Sequence, residues 1–397
     1  ALAQTWQKVR AAEGQWLQAG LRPTPIVGYQ ASEVGNDGQS GQQGAFFSQE
    51  FVRRKKLALS RATQSQEVAR ARQEYAAQRM RVLNDVRAEH FNVLVGQRAM
   101  DLTAEIASIS QRAVETTERM YEGKVIPYSD VLQARIEAES ADISVTNARN
   151  RYGAAWRRLS GVIGMTGLPP RPLAGSLSQP DDDLSFEETL RMLYLQSPQL
   201  AGARIAVMRA RAALEREQVE PMPNFDVQMG LQYDNASQYT IGNVQVGIPI
   251  PVLNANQGNI QTAYADLRNA QANVGRLEMS LHNQLASAFE VYANAKNQVE
   301  QFTKDILPDA RRTLDLVNKG FQSGEYTFLT LLTVQRTYFQ ANLAYLHALQ
   351  QLGVSRVAIE GLLLTGSLQE ERAIDVPRVD TGTAPVFGPG RPPVQTQ

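Results

Sequence analysis

Three histidines, His90, His282 and His347, are the only imidazoles in the chain, and they lie far apart in sequence. There is no cysteine. That excludes thiolate metal ligands, thiol nucleophiles and disulfides, and it favours an oxidising compartment where a stray thiol is a liability. No Ser-His-Asp order, phosphate-cradling loop, dinucleotide glycine pattern or His/Cys ligand spacing is present. His282 and His347 sit among polar residues in helical stretches, where a surface or seam histidine is the ordinary reading. Asp181-Asp182-Asp183 has the makings of a cation ligand set. It reads better as the solvated start of a helix near Phe186, where acidic side chains suit the dipole. The chain thus offers no catalytic residue, no cofactor-binding residue and no metal ligand. Its chemistry must be that of surfaces, and the elements that build them come next.

Lys plus Arg and Asp plus Glu number 40 each, so no charge imbalance points to nucleic acid or an anionic surface. Apolar residues make up 43% of 397 residues, enough for two or three ordinary domains and too many for wholesale disorder. No run approaches the roughly 18 apolar residues of a membrane-spanning helix. A transmembrane β-barrel needs only alternating strands of about 10 residues, so a membrane protein stays in play. The opening Ala1-Leu2-Ala3-Gln4 reads as already helical, as expected of a mature or trimmed form without its signal peptide.

The most informative pattern is internal repetition at a period close to half the chain. Tyr121 to Tyr128 matches Phe321 to Phe328, and Val131-Leu132 matches Leu331-Leu332, all at an offset of 200. Leu102 and Ile106 fall on Phe302 and Ile306 at the same offset. Chance similarity between amphipathic helices does not explain why turns and helices keep one spacing. The expected plan is a first repeat over 1–163, with a short helix, strands over about 24–34 and 45–52, a long helix 54–120 and a return helix 129–163. A Pro/Gly/Asp-rich linker spans 164–184. The second repeat, 185–365, has a helix 185–220, strands over about 224–234 and 243–252, a long helix 258–319 and a return helix 328–364. A Pro/Gly-rich tail, 366–397, is expected to be disordered.

Residues 224–234 alternate without a break. Phe225, Val227, Met229 and Leu231 face one way, Asp226, Gln228 and Gln232 the other, which is the period of a strand with one apolar and one polar face. Val244, Val246 and Ile248 continue the apolar set in the next strand. A soluble sandwich alternates equally. Two features favour a membrane barrel: the strand length suits the hydrocarbon thickness, and Tyr29, Phe46, Phe47, Phe225, Tyr233 and Tyr239 are expected near strand ends as an aromatic girdle. The apolar set then faces lipid, and Asp226, Gln228 and Gln232 face a lumen. Four strands cannot close a barrel, and an open edge cannot sit in lipid, so on the membrane reading the barrel is shared between subunits.

From 54 to 120 there is no proline and a single glycine, Gly96, which means roughly 100 Å of helix. Leu281, Leu285, Ala288, Tyr292, Ala295, Val299, Phe302 and Ile306 recur in steps of four and three, the spacing of a coiled-coil seam. Pro308 is the expected kink. The return helices pack back antiparallel, and the faces away from the seams are wet.

Strand pair, long helix, glycine-containing turn and return helix, duplicated, resembles the plan of TolC-like outer-membrane efflux proteins over nearly the whole chain. Phe186-Glu187-Glu188-Thr189-Leu190 through Ser197-Pro198-Gln199-Leu200 looks like the family's opening helix motif. Pro221-Met222-Pro223-Asn224-Phe225 resembles its approach to the strand. Ile248-Pro249-Ile250-Pro251, followed by Asn256-Gln257-Gly258-Asn259, resembles its strand-to-helix exit, in a form most like the cobalt–zinc–cadmium branch. The resemblance implies a mainly α protein with a small transmembrane β part: a homotrimer whose 12-stranded β-barrel, in outer-membrane lipid, continues as an α-helical barrel in the periplasm. It implies a passive exit duct for drugs, metal ions or other small solutes, working with a periplasmic adaptor and an inner-membrane pump, and no enzyme.

The resemblance also assigns residues. Tyr121, Gly123, Lys124 and Val125 with Phe321, Ser323, Gly324 and Glu325 become the adaptor-docking tips. Asp130, Tyr326, Thr330 and Thr333 become the tunnel entrance and gate. Where the family pattern carries Arg and Asp, the second tip has Tyr326, Thr330 and Thr333, so closure by the same salt links is not expected. The first tip places Gly123 one residue earlier than the usual pattern. No lipid-bearing cysteine is present. The alternative is a soluble periplasmic coiled-coil scaffold or adaptor. Adaptors usually carry one helical hairpin among several β modules, whereas two hairpins and two strand pairs alternate in this chain.

Overall fold

A computed structural model describes residues 1–33, 41–177 and 183–369. The architecture below belongs to the unit formed by residues 1–367; residues from 368 onward form a separate unit. The expected end of the first strand at 34, the loop over 35–40, Asp181-Asp182 and the tail from 370 lie outside the described residues.

In chain order the elements are α1 (Leu2–Gln18), β1 (Ile26–Ser32), β2 (Gln42–Phe51), α2 (Arg54–Glu122), α3 (Tyr128–Ile163), α4 (Phe186–Gln196), α5 (Pro198–Val219), β3 (Phe225–Asp234), β4 (Tyr239–Gly247), α6 (Gln257–Gln301), α7 (Leu307–Gln322) and α8 (Phe328–Glu360). The chain is mostly helical with a small antiparallel sheet. The 69 residues of α2 span about 100 Å. Toward the α3 end α2 packs on α3 and α8, and toward the sheet on α1 and α5, while α6 and α7 pack on α8.

Three helix expectations change. The helix over 185–220 is two helices, because Pro198 restricts the residue before it and Ser197 turns extended (φ −63°, ψ 118°). Ser197 then caps α5 by accepting from the Leu200 N–H at 3.4 Å. The long second helix is interrupted by one π-helical turn, Phe302–Ile306, immediately before Pro308. The ring of Pro308 and its missing N–H disturb the ladder one turn upstream, so the disruption lies before the proline. That turn shifts the seam. Leu281, Leu285, Tyr292 and Ala295 are buried, but Ile306 is 41% exposed and Val317 takes over inside. On α2, Thr103 and Thr117 join Leu102 and Ile106 in the interior, at 2% and 0% exposure. Their hydroxyls donate to the Ala99 and Ala113 carbonyls at 2.9 and 3.0 Å, which lets a polar residue sit in the seam.

The main core joins Leu193 and Leu200 of α4 and α5 to Leu281, Leu285 and Tyr292 of α6 and to Leu352 and Ile359 of α8. Order runs past the expected boundary at 365, because Asp85 accepts the Gly366 and Ser367 N–H groups at 3.0 and 2.6 Å. Beside it, the buried Asn84 amide donates to the Gly361 and Leu364 carbonyls at 2.9 and 2.8 Å. Asn84→Ala should therefore leave the Leu364 carbonyl unpaired, while the Gly361 carbonyl keeps the Leu364 N–H at 3.1 Å, and cost about 1–3 kcal/mol. Circular dichroism should show a lower unfolding midpoint; an unchanged midpoint would remove Asn84 as the anchor of this segment.

The sheet has the order β1-β2-β3-β4, antiparallel throughout, and the β2–β3 pair joins strands from the two halves of the chain. The boundaries differ from expectation at both pairs. β1 is shorter than 24–34, and β2 begins at Gln42 because its pairing continues to Asp234. β4 begins at Tyr239, opposite Asp234, not near 243. It ends at Gly247 and not at 252, since Pro249 and Pro251 have no N–H to give the ladder. Ile248, expected on the lipid-facing strand, thus lies beyond it.

Candidate functional site: the sheet faces and the two helix tips

Register sorts the sheet into two faces. Phe47, Met229 and Val244 are neighbours across β2, β3 and β4, as are Ala45 and Leu231, with Val27 and Tyr29 beyond them on β1. Phe225, Val227 and Val246 extend the same side. This face is apolar and bare: Val27, Leu231 and Val244 are 75%, 67% and 71% exposed. A soluble sheet of this size would cover such a face.

The other face is polar. Asn243 donates to Gln232 at 2.7 Å and Gln228 to Gln30 at 3.4 Å, and Asn224 donates to Glu50 at 2.8 Å beside Asp226. Phe46 belongs to this polar face and not to a girdle; its ring lies over Gly28, where a Cβ would collide with it. Nor do Tyr29 and Phe47 lie at strand ends. Tyr29 pairs with Ala45 and Phe47 with Met229, both mid-sheet. Aromatics do mark the two ends elsewhere, with Tyr233 and Tyr239 at one and the stacked Phe51–Phe225 pair, 5.2 Å apart, at the other. Among the described residues β1 and β4 each pair on one side only.

At the far end of the long helices the two turns share one backbone. In the first, the Lys124 N–H reaches the Tyr121 carbonyl and the Val125 N–H the Met120 carbonyl, both at 2.8 Å. In the second, the Gly324 N–H reaches Phe321 at 3.1 Å and the Glu325 N–H reaches Gly320 at 2.7 Å. This is the helix-ending motif that needs one left-handed residue. Gly324 supplies it with φ +81°, and at the equivalent place Lys124 supplies it with φ +57°. Gly123, expected to be the turn glycine, has φ −74° and is not needed there. A lysine in that conformation costs on the order of 1 kcal/mol relative to glycine.

Asp130 lies in the first turn of α3, Tyr326 just before α8, and Thr330 and Thr333 at its start; their described contacts are local. Asp130 accepts from the Ser129 hydroxyl at 3.3 Å, the Thr327 and Thr330 hydroxyls lie 2.9 Å apart, and the Thr333 hydroxyl donates to the Leu329 carbonyl at 2.8 Å. Tyr326 folds over Gly320, where a Cβ would strike its ring. Phe328 and Leu332 of α8 pack with Val114, Ala134 and Ala138 of α2 and α3. One turn beyond, Arg336 of α8 makes an ion pair with Glu137 of α3. The sequence reading missed both partners. Periodicity marks the buried face of each helix but does not say which charges on helices 200 positions apart will meet.

Among the described residues no group of three or more His, Cys, Asp or Glu is placed to hold a metal ion. His282 packs edge-on against the Phe186 ring at 5.7 Å. Asp183, ahead of α4 and exposed as expected, also pairs with Lys296 of α6. That contact holds the ammonium above its ordinary pKa. Among the described residues no helix is long and apolar enough to cross a membrane.

The family model described as outer membrane efflux protein matches residues 1–165 and 189–363. The cobalt-zinc-cadmium resistance protein CzcC of Cupriavidus metallidurans is 24% identical over 90% of this chain and 85% of its own length. The solved structure of CusC superposes with a TM-score of 0.76 at 18% identity, covering 92% of this chain and 89% of that one. VceC of Vibrio cholerae gives 0.73 at 14% identity, with 92% and 93% covered. At such identities the superpositions establish the fold.

Proposed function

Because this chain belongs to the outer membrane efflux protein family, we propose that three copies build one passive exit duct. The observation that carries the reading is the sheet, with its bare apolar face, its polar face and its two free edges. In lipid an unpaired edge costs several kcal/mol per orphaned backbone group, so β4 of one copy pairs with β1 of the next until the sheet closes. Three copies of four strands make a barrel of the usual small even count. Phe225, Val227, Met229, Leu231, Val244 and Val246 then face lipid, and Asp226, Gln228 and Gln232 line the lumen. The helices continue the lumen as a periplasmic tunnel.

The tips around Lys124 and Gly324 receive a periplasmic adaptor, and an inner-membrane pump supplies the energy. Asp130, Tyr326, Thr330 and Thr333 form the tunnel mouth, and the Arg336–Glu137 pair holds the two hairpins of each copy together in the resting state. The soluble scaffold alternative does not fit this family. The likeness to CzcC makes cobalt, zinc and cadmium the first cargoes to test.

Membrane fractionation followed by unheated and heated gel electrophoresis tests the assembly. A heat-sensitive trimer in the outer-membrane fraction supports the duct, and a soluble monomer would overturn it. For docking, Gly324→Val forces a β-branched residue into a left-handed position, a strain of about 1–2 kcal/mol at the turn. Open space surrounds the missing Cβ, so trimer assembly should survive while resistance to exported solutes is lost. Unchanged resistance would sink the docking assignment.

A further inference from the structure

The two tips share a backbone but present different charges. Lys124 occupies the left-handed position of the first, and Glu325 follows Gly324 at the second. Lys124 is exposed, and its ammonium has no hydrogen-bond or ion-pair partner among the described residues. Glu122, two residues earlier and also exposed, makes no ion pair with it. Gly324, with φ +81° and the same pair of backbone hydrogen bonds, shows which residue this conformation favours. Lysine holds the strained conformation with no side-chain hydrogen bond or ion pair among the described residues to reward it. A side chain kept against its backbone preference points to a role outside the chain.

Its surroundings say what kind of role. Val125 is 69% exposed, and the exposed rings of Tyr121 and Tyr128 touch at 5.2 Å. Ammonium and apolar platform sit side by side on the outermost turn. An acidic side chain set among apolar ones would bury the platform and place a carboxylate on the ammonium. Partial desolvation at the contact then strengthens the ion pair beyond what an exposed pair achieves.

We propose that Lys124 is an ionic docking contact, meeting a carboxylate on the end of the periplasmic adaptor, with Val125 and the Tyr121–Tyr128 pair covered around it. The inference rests on the duct reading and adds the chemistry of the partner's contacting end.

The test uses the full chain and the adaptor that co-purifies with it, isolated as a single protein, with affinity measured at several salt concentrations. Lys124→Gly is the decisive variant, because it gives the turn the residue its backbone prefers while removing the charge. Its thermal stability should equal or exceed that of the wild type. Its affinity should fall about tenfold at low salt, and the remaining binding should depend less on salt. Lys124→Arg should bind within about twofold of the wild type, and Lys124→Glu more weakly than Lys124→Gly. Wild-type affinity and salt dependence in Lys124→Gly would overturn the proposal while leaving the duct standing. A wild-type chain that binds no adaptor would overturn the duct reading, and this inference with it.

Discussion

Met229→Arg should abolish the heat-sensitive trimer in the outer membrane, while Gln228→Arg, one residue earlier, should leave it largely intact. Met229 sits mid-strand between Phe47 and Val244, on the apolar face and more than half exposed. On the duct reading that position is near the bilayer midplane, where an arginine facing lipid costs about 2–4 kcal/mol in each copy. Symmetry repeats the penalty in every subunit, which is a large fraction of an ordinary folding free energy. Gln228 points the other way, beside Gln30 on the polar face. There a guanidinium meets water and amides, and its effect should be on ion passage and not on assembly. The comparison is informative because the two residues are adjacent and differ only in the face that strand period assigns. If both variants assembled equally, or if Gln228→Arg alone failed, the lipid and lumen faces would be assigned wrongly.

The second large effect is expected at the link between hairpins. Arg336→Ala should raise the resting conductance of the purified trimer in planar bilayers by roughly tenfold, and Glu137→Gln should do nearly the same. Arg336 is 58% exposed at its side chain and Glu137 22%, so each bridge is solvent-screened and worth no more than about 0.2–1 kcal/mol. On the duct reading the gate acts through three copies at once, and three such terms of about 0.5 kcal/mol change an open-to-closed ratio about tenfold. The double variant Arg336→Glu with Glu137→Arg restores the pair with reversed sign and should return conductance toward the wild-type level. A double variant as leaky as either single one would mean the side chains act separately and the bridge is no latch. Phe328 and Leu332 remain packed on Ala134 and Ala138 in all these variants, so gross unfolding of the tip is not the expected outcome.

The physical reason that much of this protein can be read from its residues is that its repeats are local. Strand alternation over 225–234 and the steps of four and three through Leu281, Leu285 and Tyr292 each depend on neighbours within a turn or two. They therefore appear in the sequence as they appear in the fold. The turn residues also register locally, which is why Tyr121–Tyr128 and Phe321–Phe328 mark both tips. Even the break at Ser197 is local. Pro198 announces it, and a single helix over 185–220 underweights the restriction that proline places on its predecessor.

Other features required segments distant in sequence to be brought together. Strand pairing set Phe47 beside Met229 in mid-sheet and ran β4 back to Tyr239, because register depends on the partner strand and not on the strand itself. The burial of Thr103 and Thr117, polar residues inside the seam, follows from the helices that close over them. Backbone geometry, invisible in the letters, gave the left-handed position to Lys124 and left Gly123 in an ordinary conformation. The sequence by itself determined the hairpins, the faces and the tips, since those follow from periods of two and about three and a half. Only the tertiary structure decided which faces and charges meet, including Glu137 with Arg336, because such meetings are set by helix rotation and strand register between segments that share no local signal.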